Sequence, residues 1–110
     1  PEGCASLRAA GEAGGPTIVE GGGVAASSLG AESIGECAWY ANKWIDDSVL
    51  VTDVEIIAAQ TWIWQNVRLA TEPAAATTVA ALISGAYRPE PGCHVVALIS
   101  GANVNLGTFG

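Results

Sequence analysis

Val95-Val96-Ala97-Leu98-Ile99 is an unbroken apolar run rich in β-branched residues, entered from the breaker Pro91-Gly92 and left through Ser100-Gly101-Ala102-Asn103. Such a run predicts a strand buried on both faces, the kind a parallel sheet needs. Its polar end is a candidate ligand edge, because ligands of open α/β sheets bind beyond the carboxyl ends of strands. A plain Ser-Gly turn accounts for the same residues.

The preceding chain alternates helical and extended signals. A short helix is expected over residues 6–13, stopped by Gly14-Gly15-Pro16, and a weak strand over residues 17–20, ended by Gly21-Gly22-Gly23. Ile34, Cys37, Ala38, Ala41, Trp44 and Ile45 recur at spacings of three and four, which predicts one buried helix face over residues 33–45. Ser48-Val49-Leu50-Val51 reads as a second buried strand, and Thr52-Asp53-Val54-Glu55 has the spacing of a capping box opening a long helix over residues 53–68. Thr71-Glu72-Pro73 starts an Ala-rich helix, Pro being tolerated in a first turn, and Ser84-Gly85 ends it. Strand and helix in alternation give the class α/β, a partial and mainly parallel sheet with flanking helices.

Two confident strands and a weak third do not complete such a sheet. Residues 1–110 are therefore expected to be a piece of a larger one, oligomeric or poorly soluble when expressed alone. The formal charge of −7, with four basic residues, offers no footprint for nucleic acid or an anionic membrane. No stretch reaches the roughly 18 apolar residues of a membrane span. Cys4, Cys37 and Cys93 are odd in number and outside any CxxC spacing, which argues against a disulfide framework or a zinc site and for a reducing, cytoplasmic setting.

Several residues invite a sharper reading than they support. Gly21-Gly22-Gly23 suits a phosphate cradle only if a helix starts directly after it; a flexible turn is the simpler expectation. His94, the single histidine, reads as a surface or hydrogen-bonded residue. Trp39, Trp44, Trp62 and Trp64 read as core or interface residues, Asp46-Asp47 as a solvated turn, and Lys43 as an outward side chain.

Ala70-Thr71-Glu72-Pro73-Ala74-Ala75-Ala76, with the run from Val95 into Asn103 and Asn105, resembles the C-terminal part of the threonine/serine dehydratase family of pyridoxal-phosphate enzymes (fold type II, tryptophan synthase beta-like). That family has a Glu-Pro opening a helix and then a buried strand ending in Ser-Gly-Gly-Asn. Pro1-Glu2-Gly3, Ala26-Ser27-Ser28-Leu29-Gly30 and Val49-Leu50-Val51-Thr52-Asp53 fall in the matching order, so the resemblance covers the whole chain.

The resemblance implies the large domain of an enzyme in which pyridoxal phosphate drives loss of the β-hydroxyl and of ammonia from threonine or serine, leaving a 2-oxo acid. Ser100 matches the serine that hydrogen-bonds the pyridine nitrogen. A hydroxyl is a neutral partner able to donate or accept, and need not hold the ring protonated as a carboxylate would. Glu72 matches the glutamate near the cofactor, and Asn103 the amide of the terminal motif. The implied partners are a small amino-acid substrate and, for the full-length enzyme, further copies of itself.

Departures from the family pattern limit the transfer. Ala102 replaces a glycine and requires a negative φ there. Asn105 replaces an aspartate, and Ala75 and Ala76 stand where glycine is common. Glu2 and Ser6 match two positions of the cation site some relatives have, but Arg8 stands at its acidic third, so no metal is expected. Neither Lys43 nor Gly21-Gly22-Gly23 lies where the family has its cofactor-bearing lysine and phosphate loop. Residues 1–110 are thus expected to form the C-terminal portion of the catalytic domain, with half a pocket and no activity alone. Racemisation or β-replacement on the same scaffold, and a non-enzymatic binding module that keeps the fold, are the alternatives.

Overall fold

A computed structural model describes residues 1–109. Five α-helices follow one another in it: α1 (Ser6–Ala13), α2 (Ala26–Leu29), α3 (Glu36–Ala41), α4 (Asp53–Val67) and α5 (Pro73–Ser84). Short 3₁₀ turns occupy Glu2–Cys4, Asn42–Trp44 and Leu106–Phe109.

The packed pair α4 and α5 is the centre of the molecule, and its ends lie where the local chemistry places them. Thr52 Oγ1 accepts from the Glu55 N–H at 3.2 Å while Glu55 Oε2 accepts from the Thr52 N–H at 2.7 Å, the reciprocal capping box. Arg68 closes α4 in the left-handed region at φ 59°, and Gly85 closes α5 at φ 77°. Pro73 sits in the first turn of α5, where its missing N–H has no partner to lose.

Between the two helices lies a core of small and medium side chains. Ile56, Ala59 and Ile63 of α4 cluster with Ala76, Ala80 and Ala81 of α5 and with Val51, while Val49, Val79 and Ile99 pack around them. Alanines on the facing side of α5 let the backbones approach closely, so the core is thin and the area it removes from water is small. Ile56 and Ile63, both buried, are its largest apolar members, each worth roughly 1.5–3 kcal/mol of burial.

The expected parallel sheet is not formed as a hydrogen-bonded ladder among the described residues. The segments expected to be strands are extended all the same. Ala97 and Ile99 are half-buried while Val96 and Leu98 are exposed, and Val51 is buried next to an exposed Leu50, the period-two alternation of a strand. Residues 95–99 are therefore covered on one face, not on both. A ladder needs a neighbour within about 5 Å. Among the described residues, the backbone bond that residues 49–51 make to another segment is a single one, from the Glu2 N–H to the Val51 carbonyl at 2.9 Å.

A second difference concerns residues 33–45. The helix is shorter than its periodicity predicts, spanning Glu36–Ala41 before tightening to a 3₁₀ turn, and its apolar positions are not buried. Cys37, Ala38 and Ala41 are exposed, as are Trp44 and Ile45, because no element among the described residues packs over them. Trp62 is also exposed, whereas Trp39 and Trp64 are half-buried. Lys43 points outward as expected, with its Nζ 3.9 Å from the Tyr40 ring centroid and 4.3 Å from that of Trp44. No helix among the described residues is long and apolar enough to cross a membrane.

Candidate functional site

The end of the extended segment is anchored to the start of α5 through one carbonyl. Gly101 O accepts from the Glu72 N–H at 3.2 Å and from the Thr71 hydroxyl at 3.1 Å. Thr71 is fully buried, and its own carbonyl accepts from Gln60 Nε2 at 2.7 Å. The chain of contacts thus runs from the middle of α4 through the connection between the helices to residue 101. Buried polar groups left unpaired are costly, so this chain specifies one docking position for the segment.

Glu72 is the N-cap residue of α5 but does not cap it with its side chain. Its carboxylate turns to the outside of the helix start, where Oε2 accepts from the Ser28 hydroxyl of α2 at 3.2 Å. The other oxygen occupies the space over Gly101, where an added Cβ would overlap it. Residue 101 is glycine here for room rather than for φ, since it is not among the positive-φ positions. Ala102 likewise keeps a negative φ, which satisfies the condition for a residue other than glycine at that place.

The sequence candidates separate on this geometry. Glu72 and the Ser100-Gly101 turn come together, with Glu72 half-buried. Ser100 is exposed, and its hydroxyl makes no hydrogen bond among the described residues, so both its proton and its lone pairs are open to a partner. Asn103, also exposed, makes no contact with Glu72 that would tie it to the same group. Ser28, Thr71 and Gln60 were not singled out by sequence reasoning. Ser28 lay inside the noted Ala-Ser-Ser-Leu-Gly segment, and Gln60, an amide on the buried face of an amphipathic helix, was the available signal for the second contact.

The remaining candidates behave structurally. Gly21-Gly22-Gly23 forms a turn pinned to the first 3₁₀ turn, Gly22 N donating to Gly3 O at 2.7 Å and the buried Cys4 thiol to Gly22 O at 3.1 Å. Asp53 at the start of α4 fixes the same turn by accepting from the Val24 N–H at 3.2 Å. Gly21 and Gly23 abut protein, and Gly22 opens on a cleft shared with Glu2, Glu20 and Asp53, whose carboxylates do not suit an anion. Arg8 pairs with Glu12 at 2.8 Å, a contact that raises its guanidinium above the ordinary value, and it also donates to Ser48 O at 2.6 Å. His94 is exposed, and Asp47 caps the Ser48 N–H at 2.7 Å. Among the described residues no group of three or more metal-ligating side chains converges.

Comparison with known proteins gives this geometry a context. A family model described as "Pyridoxal-phosphate dependent enzyme" matches residues 1–101. The phenylserine dehydratase of Ralstonia pickettii is 34% identical over 110 residues, covering 99% of this chain and 34% of the relative. A serine racemase of Arabidopsis thaliana is 30% identical over 82 residues, covering 70% of this chain and 25% of that protein. The crystal structure of a threonine deaminase from T.th. shares the fold with a TM-score of 0.80 at 22% identity, over 96% of this chain and 38% of its own. The chain thus spans about a third of the length of the dehydratase it matches.

Proposed function

Because the chain belongs to the family of pyridoxal-phosphate-dependent enzymes, we propose that its Glu72 and Ser100 edge is one wall of a cofactor pocket in an ammonia-lyase acting on threonine or serine. The observation that carries this is the Ser100 hydroxyl, exposed and unengaged at the end of the segment whose next residue is docked against Glu72. Pyridoxal phosphate, when bound, supplies the electron-accepting ring through which the bonds at the amino acid's α-carbon are weakened.

What this chain contributes is binding and tuning. Ser100 would hold the pyridine nitrogen through a neutral hydrogen-bond partner, and a ring so held would be less electron-withdrawing than one paired with a carboxylate. Glu72, held by Ser28 and by the shape of Gly101, would present its carboxylate to the cofactor from a fixed place. Asn103 adds a donor and an acceptor a few residues further on. Lys43 lies with its ammonium over the Tyr40 and Trp44 rings, and we do not assign it as the residue that holds the cofactor covalently. We place residues 1–110 as the C-terminal portion of the catalytic domain, without activity by themselves. Three free cysteines suit a reducing compartment such as the cytoplasm.

The test is reduction with borohydride in the presence of pyridoxal phosphate, followed by mass measurement. No specific adduct is expected on the chain alone, and stoichiometric labelling of Lys43 would overturn the assignment. The serine racemase among the relatives supports a second reading, racemisation on the same scaffold. Release of a 2-oxo acid rather than the mirror-image amino acid by the full-length enzyme distinguishes the two.

A further inference from the structure

The carbonyls of Leu98 and Gly101, on either side of Ser100, are each taken by a threonine hydroxyl from α5 or its entry. Thr78 Oγ1 donates to Leu98 O at 3.3 Å and Thr71 Oγ1 to Gly101 O at 3.1 Å. The two anchors are unequal. Thr78 is exposed, and its one proton is divided between Leu98 O and Ala75 O, both at 3.3 Å. Thr71 is fully buried, and Gly101 O is nearer than its other acceptor, Glu72 O at 3.4 Å. A buried hydroxyl has no water to turn to, so its proton stays committed to the protein.

Thr71 itself cannot drift, because Gln60 Nε2 on the buried face of α4 holds its carbonyl at 2.7 Å. Ser100 has nothing comparable of its own. Among the described residues neither its hydroxyl nor its N–H makes a hydrogen bond, and the residue after it is a glycine, whose torsions no side chain restricts. Where the Ser100 hydroxyl stands is therefore decided one residue away, by the donors to Gly101 O.

We propose that Thr71 is the positioning residue for Ser100: its buried hydroxyl, acting through the Gly101 carbonyl, fixes the Ser100 hydroxyl where the cofactor's ring nitrogen would meet it. This rests on the reading of Ser100 as the partner of that nitrogen. The Glu72 N–H, 3.2 Å from the same carbonyl, is the competing anchor. It belongs to the backbone and stays in every variant at residue 71, so it limits what the loss of the hydroxyl can cost. A binding group that is present but displaced still forfeits much of its effect. Thr71→Val should thus act as a weakened form of Ser100→Ala.

The test uses the full-length enzyme that carries residues 1–110, stripped of cofactor and titrated with pyridoxal phosphate by absorbance. Thr71→Val should weaken cofactor binding about threefold to tenfold, and Thr71→Ser, which keeps the hydroxyl, should recover most of the loss. In a Ser100→Ala background the same Thr71→Val change should weaken binding by less than about twofold, while its effect on the melting curve of the apoenzyme persists in full. A merely structural role would move both quantities alike in the two backgrounds. Amide exchange at Glu72 in the apoenzyme should quicken about threefold or more with Thr71→Val, because the carbonyl that accepts from it is then held less firmly. If the valine variant does not fold, Thr71→Cys, a weaker donor of similar size, takes its place. Unchanged affinity in Thr71→Val, or an equal loss with and without the Ser100 hydroxyl, overturns the proposal and leaves the functional reading standing. Unchanged affinity in Ser100→Ala alone sinks that reading and the positioning role with it, and exchange at Glu72 then still shows whether Thr71 anchors residue 101.

Discussion

The Ser28 hydroxyl and the Glu72 carboxylate, 44 residues apart in sequence, meet at 3.2 Å and lock the short helix α2 to the first turn of α5. The same carboxylate fills the space that a side chain at residue 101 would need. One acidic residue therefore links three separate parts of the chain.

Gly101→Ala places a methyl group inside the Glu72 carboxylate. The expected cost is about 1–3 kcal/mol, the usual range for overpacking. Because Glu72 is the group in the way, Glu72→Ala combined with Gly101→Ala should recover most of that loss. Urea denaturation of the four proteins of the cycle checks this; strictly additive effects would show that the two positions do not compete for space.

Thr52→Ala removes the hydroxyl that accepts from the Glu55 N–H and frees the Glu55 carboxylate from one of its two bonds to residue 52. The stability should fall by about 0.5–2 kcal/mol. Thr52→Ser should keep most of it, since the hydroxyl is retained. Thermal melts followed by the helical circular dichroism signal read both.

Gln60→Leu leaves the buried Thr71 carbonyl without its 2.7 Å donor while keeping the side-chain volume. An unsatisfied buried carbonyl costs about 1–3 kcal/mol. Thr71→Val should cost less, because Gly101 O still accepts from the Glu72 N–H. A larger loss for Thr71→Val than for Gln60→Leu in urea titrations would contradict the order of importance drawn from the geometry.

Ser100→Ala should change the stability of the chain by no more than about 0.5 kcal/mol, since Ser100 is exposed and its hydroxyl is unengaged among the described residues. In the assembled enzyme the same substitution should lower cofactor affinity or turnover about tenfold or more. Unaltered cofactor binding and kinetics would remove Ser100 from the pocket.

The helices were legible in the sequence because their ends carry their own chemistry. Thr52 and Glu55 announce the start of α4, and Pro73 and Gly85 bracket α5, without reference to any other segment. Burial was less legible, because it depends on what lies opposite. The apolar spacing of Cys37, Ala41 and Trp44 is that of a packed face, yet these residues are exposed. Val95 to Ile99 carries the composition of a central strand, yet the chain covers only one of its faces. Of the proposed site, Glu72 and Ser100 carry the motifs on which their assignment rests. Ser28 was not legible, because its role depends on a contact with a distant helix start that no local pattern encodes.

Thr71 and Gln60 set the start of α5 in the hydrophobic core, so Glu72 projects from a rigid joint and not from a loop. A free glutamate side chain loses up to about 1.5–2 kcal/mol of rotamer entropy when it is immobilised. With Ser28 on one oxygen and Gly101 beneath the other, most of that freedom has already been lost during folding. A ligand arriving at this edge meets a carboxylate that needs little further ordering, and more of each contact it makes remains as affinity.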